Sequence, residues 1–199
     1  MKIYNDLVQG SDKWIKCRLG KLTASKAQAI KTNGKGLDTL VFEKVAEILT
    51  QKPINTYKNE AMENGNETEN EARTIYELQT GNKVQQVGFV ELSEYIGCSP
   101  DGLVGDDGLV EIKCPTPKVF TEYLYSGKVD TKYYAQMQMQ MYVTDRKWCD
   151  YVVYHPDFQT PCVIKRIDRD EKMIEKIKIG LENGVSQIKE KCQKINKEH

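Results

Sequence analysis

Three residues whose side chains together suit metal-dependent phosphodiester chemistry stand close to one another in the middle of the chain: Asp101, Glu111 and Lys113. Residues 103–104 and 109–112 have the apolar character of strands, and a Gly-Asp-Asp-Gly turn separates them. Glu111 and Lys113 are two apart, so on a strand they point to the same face. Asp101 stands at the start of the partner strand. The sequence therefore predicts a β-hairpin that brings the three side chains together.

A hard divalent cation takes oxygen ligands, and Asp101, Glu111 and the carbonyl of Ile112 offer three of them. Lys113 could then orient a water molecule or stabilise charge on a phosphate. The other interpretation is an exposed acidic hairpin in which Lys113 pairs with Glu111, and the hairpin alone does not decide between the two. The order Pro-Asp, then Glu-x-Lys, resembles the signature of the PD-(D/E)XK nuclease superfamily.

The composition argues against several other kinds of site. At 199 residues the chain is long enough for a proper core, and we expect one domain over residues 1–199. Six cysteines are scattered without a Cys-x-x-Cys pair, which argues against zinc and iron–sulfur sites and for reduced thiols. Because the chain has only two histidines, histidine-based catalysis is not expected. No apolar run has membrane length, and residues 1–10 do not resemble a signal sequence.

Charge is distributed unevenly although the formal net charge is zero. Residues 1–58 carry 11 basic and 5 acidic side chains, whereas residues 59–111 carry 2 basic and 12 acidic ones. An acidic segment that contains the proposed metal ligands, next to a basic segment, suits a site that binds cations and phosphates together.

The elements that position these residues follow from apolar periodicity, caps and turn residues. Helices are expected from Ser11 to Arg18, from a Thr23 cap through 24–30, from an Asp38 cap to Pro53, and at 60–79, 131–144 and 171–195. Strands are expected at 84–92, 95–98, 103–104, 109–114, 148–154 and 161–167. Helices around a mixed central sheet make an α/β domain.

Residues 136–141 alternate glutamine with methionine and are ambiguous. As a strand they would have a half-buried methionine face. As a helix, which Tyr133, Ala135 and the methionines favour, they place Tyr133, Gln136 and Gln140 on one side. On pattern alone, the methionines are core residues and the glutamines form a solvated face.

Four blocks in this order resemble the bacteriophage lambda exonuclease and YqaJ-type viral recombinase family of PD-(D/E)XK nucleases. The blocks lie at residues 9–25, 65–81, 99–115 and 133–148. The resemblance implies a restriction-endonuclease-like α/β core, with a mixed central β-sheet flanked by helices. It implies a Mg²⁺-dependent exonuclease, with Mn²⁺ able to substitute, that degrades one strand of linear double-stranded DNA from 5′ to 3′. It also implies a homotrimer that acts with a single-strand annealing protein in phage recombination, in the bacterial cytoplasm.

The resemblance assigns catalytic roles to individual residues. The expected metal ligands are Asp101, Glu111, Glu69 and the Ile112 carbonyl, and the other catalytic residues are Lys113, Gln136 and Tyr133. Gln138 is the alternative to Gln136, because the glutamine-rich run permits a misalignment of two residues. The alternative for Glu69 is an ion pair with Arg73, four residues further along the helix.

The resemblance also implies that Arg18 and Ser25 hold the 5′-terminal phosphate. A bidentate guanidinium and a hydroxyl at a helix N-terminus are chemically suited to that task. Trp14 either packs in the core or stacks on a base of the DNA end. In a trimeric ring, basic side chains of the N-terminal segment would line the DNA channel, and the candidates are Lys21, Lys26, Lys31 and Lys35.

Two other functions stay open on the sequence. One is a structure-specific or restriction-like endonuclease, and the other is a DNA-end-binding module that has lost activity. Intact Asp101, Glu111 and Lys113 argue against the second, since a decayed site usually loses one of its residues. The last third of the chain matches no motif of the family.

Overall fold

The chain folds into helices and short strands, and five consecutive strands lie in its middle. The structure is a computed structural model that describes residues 1–54 and 60–198. In chain order they are β1 (Lys2–Tyr4), α1 (Asp12–Arg18), β2 (Leu22–Thr23), a 3-10 turn (Ala24–Lys26), α2 (Ala27–Thr32), α3 (Lys35–Thr50), α4 (Glu60–Thr80), β3 (Val84–Gln85), β4 (Phe89–Ser93), β5 (Ile96–Cys98), β6 (Gly102–Val104), β7 (Gly108–Lys113), α5 (Pro117–Ser126), α6 (Thr131–Thr144), β8 (Trp148–Tyr154), β9 (Cys162–Asp168) and α7 (Glu171–Glu198).

The strands form two mixed sheets, where the sequence predicted one. The larger has the order β3-β6-β7-β8-β9, and the smaller has the order β1-β4-β5-β2. The predicted hairpin is confirmed as β6 and β7, which pair in antiparallel register with Gly102 opposite Val110. Strand β7 also pairs in parallel with β8. Parallel neighbours need a crossover connection, and α5 and α6 supply it.

Strand β7 occupies the middle of the larger sheet. Residues 108–112 are all buried, and only Lys113 at the end of the strand is partly exposed. A strand that is buried on both faces reads as an apolar run, which is the pattern of residues 109–112 apart from Glu111. The strand therefore carries one acidic side chain into the interior.

Helix α6 is packed on all sides, by α2, α7 and strands of both sheets. Met137, Met139 and Met141 are completely buried, as the sequence predicted. The expectation of a solvated glutamine face is wrong, because Gln138 and Gln140 are completely buried as well. A buried amide is costly unless it is hydrogen-bonded, so these glutamines must have partners inside the fold.

Three details of the predicted elements need correction. Helix α5 was not expected, although Pro117 in its first turn and the left-handed Gly127 after its end are standard helix boundaries. Residues 24–26 form a 3-10 turn, and the Thr23 side chain caps no helix. Helix α3 begins at Lys35, before the predicted Asp38 cap. Ser11 does cap α1, since its side chain accepts from the Trp14 N–H.

The C-terminal helix α7 covers α2 and α3 with a buried apolar stripe, as its periodicity predicts. Gly180 makes the closest approach: a Cβ atom built there would lie 1.9 Å from the carbonyl oxygen of Ile30. The two helices therefore touch backbone to backbone at this point. Within the described residues, no helix has the length and apolar character needed to cross a membrane.

Candidate active site

The carboxylate of Glu111 is the centre of a hydrogen-bonded cluster. Its Oε1 accepts from Lys113 Nζ at 2.5 Å and from Gln136 Nε2 at 2.6 Å. Its Oε2 accepts from Gln140 Nε2 at 2.7 Å. The side chain is 0% exposed, and a buried charge needs such partners. Lys113 does pair with Glu111, but on a buried central strand and not on an exposed hairpin.

Asp101 reaches the same strand from its position before β6. Its Oδ2 accepts from the backbone N–H of Ile112 at 2.7 Å, between Glu111 and Lys113. Burial and the nearby charge of Glu111 raise the pKa of Asp101 well above its ordinary value. Burial alone would lower the pKa of Lys113, but the carboxylates of Glu111 and Asp101 outweigh it and raise that pKa. Lys113 is therefore a cation held between two acidic groups.

Glu69 lies on α4 beside these residues, and its carboxylate is engaged with Arg73. Its Oε1 accepts from Arg73 Nη2 at 2.7 Å, so the ion pair considered from the sequence is present. Burial nevertheless raises the pKa of Glu69. Glu69, Arg73 and Asp101 line one cleft of about 400 Å³, together with Gln9 and Gln86. The structure therefore brings Glu69 to the site but turns its carboxylate toward an arginine.

The donor set fits a hard divalent cation in its chemistry. Within the described part of the chain, no three acidic, histidine or cysteine side chains converge as a metal-binding group. Asp101 and Glu111 nevertheless flank the Ile112 backbone and supply only oxygen atoms. A cation here would relieve the repulsion that Glu111 exerts on Asp101. These two carboxylates and the Ile112 carbonyl are therefore the groups that could hold a cation, and Glu69 lines the same cleft as Asp101.

Helix α6 presents two glutamines to Glu111. Gln136 and Gln140 are four residues apart, so they lie on one face and both reach its carboxylate. Gln138 points elsewhere: its Nε2 donates to the Asp168 carbonyl at 2.9 Å, and its Oε1 accepts from the Asp170 N–H at 2.8 Å. The structure thus places Gln136, and not its alternative Gln138, at the cluster. Gln140 was not proposed from the sequence, although its spacing from Gln136 was visible there.

Tyr133 lies one turn before Gln136 on the same helix. Its ring centroid is 5.1 Å from Lys113 Nζ and 6.1 Å from the Tyr151 ring. A cation over an aromatic face is attracted by the electron density of the ring. Tyr133 therefore contacts the one member of the cluster that is positively charged.

Arg18 is hydrogen-bonded to Ser99, which lies in the same loop, two residues before Asp101. Its Nη1 donates to Ser99 Oγ at 3.0 Å, and its guanidinium stacks on the Trp14 ring at 4.1 Å. The Trp14 Nε1–H donates to Ser99 Oγ at 2.9 Å, so Trp14 packs inside the protein and braces the arginine. Ser99 was not proposed as a site residue from the sequence.

Arg18 is a half-buried cation that forms no ion pair with the described acidic side chains. Burial lowers the pKa of Arg18 to about 10, and no carboxylate among the described residues lies within 4.0 Å of it. Its Nη2 donates to Thr23 Oγ1 at 3.4 Å, and that hydroxyl lies 3.3 Å from Ser25 Oγ. Ser25 is exposed in the 3-10 turn, so the helix expected at this position begins as a 3-10 turn and becomes α-helical at Ala27. The unpaired guanidinium and the hydroxyls still suit an anion.

Comparisons with known proteins identify the family and the fold of the chain. The family model of the YqaJ-like viral recombinase domain matches residues 13–147. An alkaline exonuclease from Laribacter hongkongensis is 33% identical, with a TM-score of 0.87, over 94% of this chain and 97% of that one. The structure of that exonuclease in complex with dAMP gives the same values. A comparison with curated proteins gave no match.

A phage related exonuclease from Haemophilus somnus 129PT is 18% identical, with a TM-score of 0.65, over 90% of this chain and 96% of that one. At this identity the likeness shows a shared fold. Because the structural match to the Laribacter hongkongensis exonuclease covers 94% of the chain, the last third also belongs to the common architecture, although no motif identified it.

The raised pKa of Asp101 predicts how the metal-free protein responds to pH. The folded-state pKa lies above the unfolded-state value, so as pH rises from about 4 the unfolded chain releases this proton first. Protonated Asp101 therefore stabilises the folded protein at low pH, and the free energy of unfolding falls as pH rises through the folded-state pKa. Asp101→Asn, whose amide oxygen can still accept from the Ile112 N–H, does not titrate and therefore does not show this fall in stability. In EDTA the Tm of the variant relative to the parent should rise between pH 5 and pH 7.5, by about 2–4 °C for each 1 kcal/mol of stability that the parent loses.

The matched control for this experiment is Asp106→Asn, because Asp106 is exposed in the turn of the same hairpin. Its Tm difference from the parent should stay constant across the same pH range. Thermal unfolding followed by circular dichroism measures both variants. A gain for Asp101→Asn that is as large at pH 5 as at pH 7.5 contradicts the prediction.

Proposed function

Because the chain belongs to the family of YqaJ-like viral recombinase domains and is a deoxyribonuclease with a PD-(D/E)XK core, we propose that it is a Mg²⁺-dependent 5′-to-3′ exonuclease acting on linear double-stranded DNA. The observation that carries the proposal is the cluster that Lys113 and Gln136 form around the buried carboxylate of Glu111, beside Asp101. These groups come from β7, α6 and the segment before β6, so the fold itself assembles them. An exposed acidic hairpin would have no reason to bury Glu111.

The residues that would hold the cation are Asp101, Glu111, Glu69 and the carbonyl of Ile112, and Mn²⁺ would substitute for Mg²⁺. When bound, such an ion polarises a phosphate oxygen and makes a metal-bound water more acidic. Lys113 keeps its proton because two carboxylates flank it, so it supplies a fixed positive charge near the attacked phosphate. Gln136 and Tyr133 hold Glu111 and Lys113 in position. No residue needs to form a covalent intermediate.

The end of the DNA would be recognised by the group around Arg18. A 5′-phosphate is a dianion that needs several donors, and the Arg18 guanidinium and the Ser25 hydroxyl would bind it. Ser99 and Thr23 already contact Arg18 and orient it. Ser99 precedes Asp101 by two residues, so the distance between the bound 5′ end and the hydrolysed bond would be set by one short loop. That arrangement favours an exonuclease over an endonuclease.

We also propose that three copies form a ring around the DNA and that the product strand passes to a single-strand annealing protein. A chain with zero net charge binds a polyanion weakly at physiological salt, and a closed ring would retain the DNA topologically. Lys26 and Lys35 are exposed and available to line a channel, and Lys31 is half-buried. Lys21 is not available: it is buried, donates to the Glu94 carbonyl and pairs with Glu91 at 3.3 Å.

The first prediction tests the catalytic cluster. Asp101→Ala, Glu111→Ala and Lys113→Ala should each reduce Mg²⁺-dependent digestion of end-labelled linear duplex by about a thousandfold or more, because groups that act as a unit fail together. Asp106→Ala, in the turn of the same hairpin, should stay within about twofold of the parent. Near-normal cleavage by Asp101→Ala would show that the cluster is not the active site. Equal cleavage of closed circular DNA by the parent would instead indicate an endonuclease.

The second prediction tests the polarity of digestion. Linear duplex with 5′-phosphate ends should be digested faster than duplex with 5′-hydroxyl ends, because Arg18 lacks an acidic partner and is free to bind the phosphate. Arg18→Ala should narrow this difference mainly by slowing the phosphorylated substrate. Lys16→Ala, exposed on the same helix, is the control and should keep the preference. Equal rates on both ends in the parent, or release of nucleotides from the 3′ end, rules out this role.

The third prediction concerns assembly. Sedimentation velocity at micromolar concentration should give about three times the mass of one chain. A dilution series should show activity on long duplexes falling together with the trimer, because the ring retains the DNA. A monomer that digests long duplexes without dissociating would be incompatible with the proposed ring.

A further inference from the structure

The two carboxylate oxygens of Glu111 lie in different surroundings. Oε1 meets Lys113 and Gln136, whose side chains are partly exposed. Oε2 lies on the interior side, and Gln140 is its one donor among the residues that the structure describes. Gln140 is 0% exposed. One oxygen thus faces the site and the other faces the core.

We propose that Gln140 is a positioning residue for cation binding: by holding Oε2 of Glu111 in the interior, it presents Oε1 to the divalent ion. The inference rests on the proposed function, because it assigns Glu111 to the cation. Gln140 itself would contact neither the cation nor DNA. It acts through the carboxylate, whose rotation it prevents.

The cost of a buried amide at this position supports the proposal. The Oε1 atom of Gln140 is buried without a hydrogen-bond partner among the described residues, which is unfavourable. Methionine stands at the neighbouring positions 137, 139 and 141, has a similar length and would avoid this cost. Packing alone therefore does not account for a glutamine here. Its amide N–H makes one contact that methionine cannot make, and that contact is with Glu111.

Gln138 provides a matched comparison on the same helix. It is also 0% exposed, and both ends of its amide bind backbone groups, those of Asp168 at the end of β9 and of Asp170 just before α7. Replacing it removes two hydrogen bonds from the core without touching Glu111. A purely structural role for buried glutamines in α6 would make the two positions equivalent, whereas a positioning role separates them.

The test measures cation binding directly on the full chain. Binding of Mg²⁺ is followed by the rise in Tm during titration, and binding of Mn²⁺ by the electron paramagnetic resonance signal of the free ion. Gln140→Met should weaken the affinity for Mg²⁺ and for Mn²⁺ by about 10- to 100-fold, which is the usual effect of removing a group that orients a metal ligand. Gln138→Met should lower the Tm in EDTA but change cation affinity by less than about threefold. If Gln140→Met does not fold, Gln140→Asn, which withdraws the donor by one methylene, takes its place with the same expectation.

Each of the following outcomes either supports or overturns the proposed role of Gln140. Weakened cation binding in the Gln140 variant alone supports the proposal. Unchanged binding in that variant overturns it while the proposed function stands. An equal loss in the Gln138 variant also overturns it, since the effect would then come from helix packing. A parent protein that binds neither Mg²⁺ nor Mn²⁺ overturns both this inference and the metal-dependent function.

Discussion

The structure depends on one constraint, which is that the carboxylate of Glu111 is buried in the middle of a sheet. A buried charge is unstable without a counter-charge and hydrogen bonds. Lys113 at the end of the same strand supplies the charge, and the glutamines of α6 supply the bonds. The hairpin, the central strand and the crossover helix are therefore tied together by a single acidic group. The residues that stabilise the buried carboxylate are therefore the same ones that carry the proposed chemistry.

That constraint explains why a glutamine-rich helix runs through the core. Helix α6 combines methionines, which fill the apolar space, with glutamines that meet polar groups of neighbouring elements. Gln138 binds backbone groups next to α7, while Gln136 and Gln140 bind the site. One helix thus joins the segment before α7 to strand β7. This explains how helix α7, which carries none of the proposed catalytic residues, supports the proposed active site.

The two charged parts of the site are linked by a short piece of backbone. Arg18 binds Ser99, and Asp101 binds the backbone of Ile112, with one residue between Ser99 and Asp101. Gln9 adds a further tie, because its amide donates to the Pro100 carbonyl at 3.1 Å. Arg18, which forms no ion pair with the described acidic side chains, is thus held by a residue only two positions before Asp101. Such an arrangement suits a phosphodiester end better than a neutral surface would.

The sequence alone determined the hairpin, the residues Asp101, Glu111 and Lys113, and most helices, because turn residues, caps and apolar periodicity act over a few neighbouring residues. It also determined the family, through four blocks in a fixed order. Only the tertiary structure decided which glutamines of α6 face Glu111, that Lys21 is buried, that Glu69 pairs with Arg73, and that the strands form two sheets. Each of these depends on what packs against a side chain from a distant part of the chain. A pattern such as Gln-Met-Gln-Met does not contain that information, since a buried polar face and a solvated one have the same spacing.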